Sequence, residues 1–127
     1  MARYLLDTNV LILHLRERRD ITAMLEKWIR IHHLFISVVT RTEILAGMRP
    51  HEEKRTMELL ESLDNIPIDG AIADRAGRLI YQYARKGVVL SLADALIAAT
   101  ALEHDLTLVT TNPKHFPMPE LALYPVE

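Results

Sequence analysis

Two apolar runs near opposite ends of the chain break off abruptly into small polar side chains, and this pattern limits the possible folds more than any other feature. Tyr4-Leu5-Leu6 gives way to Asp7-Thr8-Asn9, and Leu106-Thr107-Leu108-Val109 gives way to Thr110-Thr111-Asn112. Each run reads as a buried strand whose end carries groups able to cap a helix or bind a cation. Parallel strands in one open sheet would bring those polar ends to one edge, the edge where α/β proteins bind ligands.

The intervening chain supplies the helices that such a sheet requires. A short helical stretch spans residues 10–16, and Asp20 has the form of an N-cap. Ile21, Met24, Leu25, Trp28, Ile29 and Ile31 then fall largely on one helical face. Residues 34–38 read as a second strand. Helices are expected over 41–48, stopped by Gly47 and Pro50, and over 52–63, where Met57, Leu59, Leu60 and Leu63 are interleaved with charges. Ile66-Pro67-Ile68 carries a proline that a central strand would not tolerate, which places it at a sheet edge. Asp69 caps a longer helix through Lys86, closed by Gly87. Ser91 opens an alanine-rich helix through His104. The last core strand covers 106–110, and 121–126 adds a short final one. This alternation predicts a three-layer α/β/α domain with a mainly parallel central sheet.

With 127 residues, half of them hydrophobic, the chain suits one domain able to bury a core without disulfides. It has no cysteine, so a metal would be held by oxygen or imidazole. No leader-like or membrane-spanning segment is evident, so a cytoplasmic location is expected and a membrane is not. The net charge of −2 shows no general electrostatic grip on nucleic acid.

Asp7, Glu43, Asp94 and the amide Asn112 each stand at or just past a junction where an apolar run becomes polar. Every one also has an ordinary structural explanation. Asp7 or Thr8 can cap the next helix. Thr40-Arg41-Thr42-Glu43 has the form of a capping box, and Ser91-Leu92-Ala93-Asp94 is its aspartate counterpart. In this architecture, however, the first turn of a helix emerges near the carboxyl edge of the sheet, so capping and function predict the same location. Number discriminates between them. Three converging carboxylates repel one another and raise each other's pKa unless a cation neutralises them. A hard divalent ion such as magnesium or manganese meets that need. Metal-assisted hydrolysis of a phosphodiester is the chemistry such a site suits.

Taken in order, Leu5-Leu6-Asp7-Thr8-Asn9-Val10-Leu11-Ile12, then Ile36-Ser37 leading to Thr42-Glu43-Ile44-Leu45-Ala46-Gly47, then Leu92-Ala93-Asp94-Ala95-Leu96-Ile97-Ala98-Ala99-Thr100-Ala101, and finally Leu108-Val109-Thr110-Thr111-Asn112 with Phe116 resemble the PIN-domain ribonucleases. Size and motifs most resemble the VapC toxins of type II toxin–antitoxin pairs. The resemblance implies an acidic metal site of Asp7, Glu43 and Asp94 with Asn112 in the fourth position, holding Mg2+ or Mn2+. It also implies supporting roles for Thr8, Asn9 and Thr110, an RNA substrate, a VapB-like antitoxin and a homodimer. Many relatives carry aspartate where this chain has Asn112, which removes one negative charge and bears on a second metal ion. His115 likewise stands where relatives often carry an acid.

Arg41, Arg49, Lys114 and His115 are candidates for holding RNA phosphates, since an acidic site repels its substrate. The apolar face with Trp28 suits either a core or a partner surface. His32, His33 and His51 lack metal-ligand spacing and read as surface. A receiver domain would need an acid beside Asp7, and a haloacid-dehalogenase-like phosphatase would need one at position 9, which is Asn. The remaining alternatives are a catalytically weak PIN-fold binding module and an RNA-processing nuclease without an antitoxin.

Overall fold

In the computed structural model, which describes residues 1–127, every strand pairs in parallel. The strands are β1 (Arg3–Leu6), β2 (His33–Ser37), β3 (Asp64–Ile66), β4 (Thr107–Thr110) and β5 (Leu123–Pro125), and they form one five-stranded sheet in the order β3-β2-β1-β4-β5. β1 is central. It pairs with β2 through Leu5 opposite Phe35 and with β4 through Leu5 opposite Leu108 and Leu6 opposite Val109. The two runs that broke into polar residues are therefore neighbours, and Asp7 and Thr110 leave the sheet side by side.

Side-chain alternation sorts the strand residues between two apolar layers. Leu5 and Leu108 face α5 (Gly70–Ala84) and α6 (Leu92–His104), where Ile72, Ala76, Leu79 and the α6 alanines complete a buried cluster. Leu6, Val109, Leu34 and Ile36 face the other way. They pack on α1 (Thr8–Leu15), α2 (Arg19–Ile31), α3 (Val38–Gly47) and α4 (Glu53–Glu61). The result is the expected three-layer arrangement with a parallel sheet. Ala95, Ala98, Ala99 and Ala101 are fully buried, and their small side chains let α6 sit close to the sheet and to α5. No helix is long and apolar enough to cross a membrane.

The helix ends show how local chemistry places these elements. Asp69 caps α5 by accepting from the Ile72 N–H at 2.9 Å, and Ser91 caps α6 by accepting from the Asp94 N–H at 3.0 Å. After α5, Gly87 takes φ +79 while its N–H and that of Val88 return to the carbonyls of Ala84 and Tyr83. That is a Schellman closure, and the positive φ is why glycine serves there.

Several expectations change or are decided. Asp20 is not the cap of α2: the helix begins at Arg19 and Asp20 lies in its first turn. α3 starts at Val38 rather than at residue 41, because Ser37 is its cap and accepts from the Val39 N–H at 3.0 Å. Val38 reads as the end of the strand, yet the buried cap turns the chain into helix at that residue. Trp28 is buried and stacks on Tyr4 with ring centroids 4.5 Å apart, with Tyr124 edge-on at 5.0 Å. Its face belongs to the core. His32 is likewise half-buried, with Nδ1 accepting from the Ala2 N–H at 2.9 Å, whereas His33 and His51 are exposed.

Candidate active site

The carboxyl ends of β1 and β4, together with the starts of α1 and α6 and the second turn of α3, bring the predicted polar residues to one edge. Asp7 follows β1 directly and is only 7 % exposed. Its backbone N–H donates to the Val109 carbonyl at 2.9 Å, extending the β1–β4 ladder by one bond. Its side chain caps α1 through Oδ1, which accepts from the Thr8 N–H at 2.9 Å, while Oδ2 accepts from the Thr110 hydroxyl at 2.7 Å. Capping and site placement are thus one and the same geometry. Burial pushes the Asp7 pKa above its ordinary value, the bonds from Thr110 and Thr8 pull it back, and the charges of Asp94 and Glu43 raise it further. Those two carboxylates therefore lie within electrostatic reach of the buried one.

Glu43 does not close a capping box with Thr40. Both residues sit inside α3, and the Glu43 Oε1 accepts from the Thr8 hydroxyl at 2.7 Å. Thr8 Oγ1 also lies 3.0 Å from the hydroxyl of fully buried Thr40. A hydroxyl has one proton to give, so Thr8 gives its own to the carboxylate and Thr40 donates to Thr8. The order Thr40 to Thr8 to Glu43 orients the carboxylate from beneath.

Asp94 occupies the first turn of α6, where the expected cap bond from its N–H to Ser91 is present. Its carboxylate faces outward to His115, with Nδ1 3.5 Å from Oδ2. Asn112 follows β4 in a turn pinned by its N–H, which donates to the Thr110 hydroxyl at 3.0 Å. Its Nδ2 donates to the Thr111 hydroxyl at 3.3 Å, and the Asn9 Nδ2 donates to the same hydroxyl at 2.8 Å. With the amide nitrogen engaged, the Asn112 oxygen is the end of the side chain left for a ligand.

Thr40 and Thr111 were not singled out as site residues. Both are threonines beside recognised motif residues, and only the crossing of α1 with α3 and with β4 reveals their partners. Arg41 is engaged elsewhere, its guanidinium donating to the Asn65 side-chain oxygen at 3.0 Å. The Arg49 N–H donates to Glu52 at 2.7 Å, while Lys114 and His115 stand at the rim in the turn Pro113–His115.

The donor set is wholly oxygen, apart from the rim histidine, and its negative charges press on a desolvated carboxylate, which suits a hard cation. The carboxylates share an edge without forming a cage: no three acidic or histidine side chains lie close enough together to hold a metal ion. Glu43 accepts from Thr8, and Asp94 lies 3.5 Å from His115. Carboxylates that share an edge without closing a cage fit an ion that retains water and takes few direct protein bonds, as magnesium does.

The PIN domain profile matches residues 4–118. Ribonuclease VapC10 of Mycobacterium tuberculosis is 41 % identical to the chain over 114 residues, which cover 90 % of this chain and 86 % of that protein. The chain belongs to the PIN-domain VapC family. Among solved structures, a toxin–antitoxin complex from Klebsiella pneumoniae shares the fold with a TM-score of 0.79 and 35 % identity, covering 97 % of this chain and 99 % of the other. The VapBC2 structure from Rickettsia felis superposes with a TM-score of 0.84 over 98 % of both chains, and at 24 % identity it bears on the fold alone. The three-layer architecture thus agrees with these likenesses along almost the whole chain.

Proposed function

We propose that this PIN domain is a divalent-metal-dependent endoribonuclease and the toxin of a type II toxin–antitoxin pair. The carrying observation is the buried Asp7 carboxylate, placed at the carboxyl edge of a parallel sheet with the charges of Asp94 and Glu43 bearing on it. Kinship with ribonuclease VapC10, and with the Klebsiella pneumoniae toxin–antitoxin complex, supports the choice of RNA and of an antitoxin partner.

In this reading Asp7, Glu43 and Asp94 would surround a hydrated Mg2+ or Mn2+, reaching it in part through its own water, with the Asn112 oxygen at the fourth position. The bound ion would lower the pKa of a water and offset charge on the phosphoryl oxygens. Thr110 fixes the Asp7 carboxylate, and the Thr40–Thr8 pair fixes Glu43, so both present oxygen lone pairs in set directions. Asn9 orients Asn112 through the shared Thr111 hydroxyl. A VapB-like antitoxin would neutralise the acidic edge, a homodimer is the proposed assembly, and the cytoplasm is the proposed compartment.

The test is incubation of a mixed tRNA and rRNA pool with the purified protein and Mg2+ or Mn2+. Cuts that disappear with EDTA and with Asp94→Asn support the nuclease. If wild type and variant are equally inert with both metals, the nuclease reading is lost. Asn112, which carries no charge to help hold an ion, favours as the second reading a PIN-fold binding module.

A further inference from the structure

The rim histidine meets Asp94 without being used up by it. Nδ1 of His115 lies 3.5 Å from Oδ2 of Asp94. An N–H···O hydrogen bond spans roughly 2.7–3.2 Å, so the two atoms stand together without closing one. Two donors bound side by side to an octahedral ion, each about 2.1 Å from it, are about 3.0 Å apart. A movement of about half an ångström would therefore let imidazole and carboxylate share one ion.

The turn that carries His115 is held in place while its side chain is not. The His115 N–H donates to the Asn112 carbonyl and the Phe116 N–H to the Pro113 carbonyl, each at 3.0 Å. Phe116 is buried in the apolar layer beneath α5 and α6 and anchors the end of the turn. The His115 side chain itself is 58 % exposed, so the ring can turn a nitrogen towards an ion without unpacking anything. One anchored turn thus carries two donors of different kind, the Asn112 oxygen and the His115 imidazole.

We propose that His115 is a nitrogen ligand to the ion of the acidic edge and makes this site select Mn2+ over Mg2+. The proposal rests on the divalent-metal reading of the site and narrows its ion. Magnesium dehydrates reluctantly and is held through oxygen, so an imidazole offers it little. Manganese accepts the same octahedral oxygen set, which means that carboxylates alone discriminate poorly between the two ions. As a first-row transition ion it also takes nitrogen, and one imidazole beside Asp94 tips the balance.

The experiment is electron paramagnetic resonance of the intact protein with Mn2+. Loss of the free aqua-ion signal gives the affinity, and pulsed measurements read whether a nitrogen nucleus is coupled to the bound ion. Wild type should show that coupling. His115→Gln should lose it and bind Mn2+ about tenfold more weakly, the scale on which removing even an outer partner weakens a metal site. Mg2+ affinity, read by calorimetry, should change less than about twofold, since magnesium is held through oxygen. Because the side chain is exposed, the variant keeps the fold. Bound Mn2+ without nitrogen coupling, or coupling that persists in the variant, overturns the proposal. An equal loss of affinity for both ions also overturns it, because His115 would then only steady Asp94.

Cleavage of the RNA pool, run in parallel, separates the two readings. A wild type that cuts RNA with Mn2+ yet shows no nitrogen coupling removes the histidine ligand alone. A wild type that shows the coupling, loses it in the variant and leaves RNA intact removes the nuclease and keeps the ligand.

Discussion

Asp7 combines two roles that pull on its charge in opposite directions. As the cap of α1 and acceptor from Thr110 it is stabilised as an anion, yet burial and the neighbouring Asp94 and Glu43 charges raise its pKa overall. The folded protein therefore binds the Asp7 proton more tightly than the unfolded chain does. Between the two pKa values the folded state holds more protons, so this group's contribution to stability falls as pH rises through the folded pKa. Asp7→Asn removes the charge and retains an oxygen to accept from Thr8. We expect the variant to have a higher Tm than wild type at neutral pH, with the gap closing on acidification below the Asp7 pKa, and to lose cleavage. Thermal melts at several pH values check this, and a lower Tm for the variant at neutral pH would contradict the raised pKa of Asp7.

At the scale of elements, helix starts decide where the acids point. Ser91 carries the cap of α6 and so sets the turn that presents Asp94. Ser91→Ala should cost about 1 kcal/mol of stability. Its activity loss should be partial and well short of that of Asp94→Asn, as read from Tm and single-turnover rates. α4 holds a different kind of defect: the Thr56 hydroxyl is fully buried with no hydrogen-bond partner. Thr56→Val keeps the shape and should stabilise the protein by about 1 kcal/mol, measured by urea denaturation. The elements were largely legible because apolar periods of two and of nearly four residues separate strands from helices, and because Asp69, Gly87 and Ser91 mark helix ends by their own chemistry. Glu43 was legible as a site acid at an apolar junction, whereas its bond from Thr8 was not. Its apparent capping box competed with Ser37, whose advantage comes from burial at the end of β2. Thr111 was equally hidden, since nothing local links it to Asn9 across the sheet edge.

For the molecule as a whole, a metal that binds only the folded state adds to stability by mass action, by about 2.7 kcal/mol at a hundred times its Kd. Mn2+ or Mg2+ should therefore raise the Tm of wild type in a concentration-dependent way. Asp94→Asn should shift less at every concentration, and an equal shift in both would place the ion elsewhere. Differential scanning fluorimetry suffices. The central pairing of β1 with β4 has a further consequence during synthesis. β1 emerges from the ribosome first, but Thr110, which holds the Asp7 carboxylate, belongs to a strand made near the end of translation. A nascent chain carrying Asp7 and Glu43 still lacks half of the edge on which the acids meet. If the assembled edge cuts RNA, the translating ribosome is shielded from its own product by the order in which the strands are made.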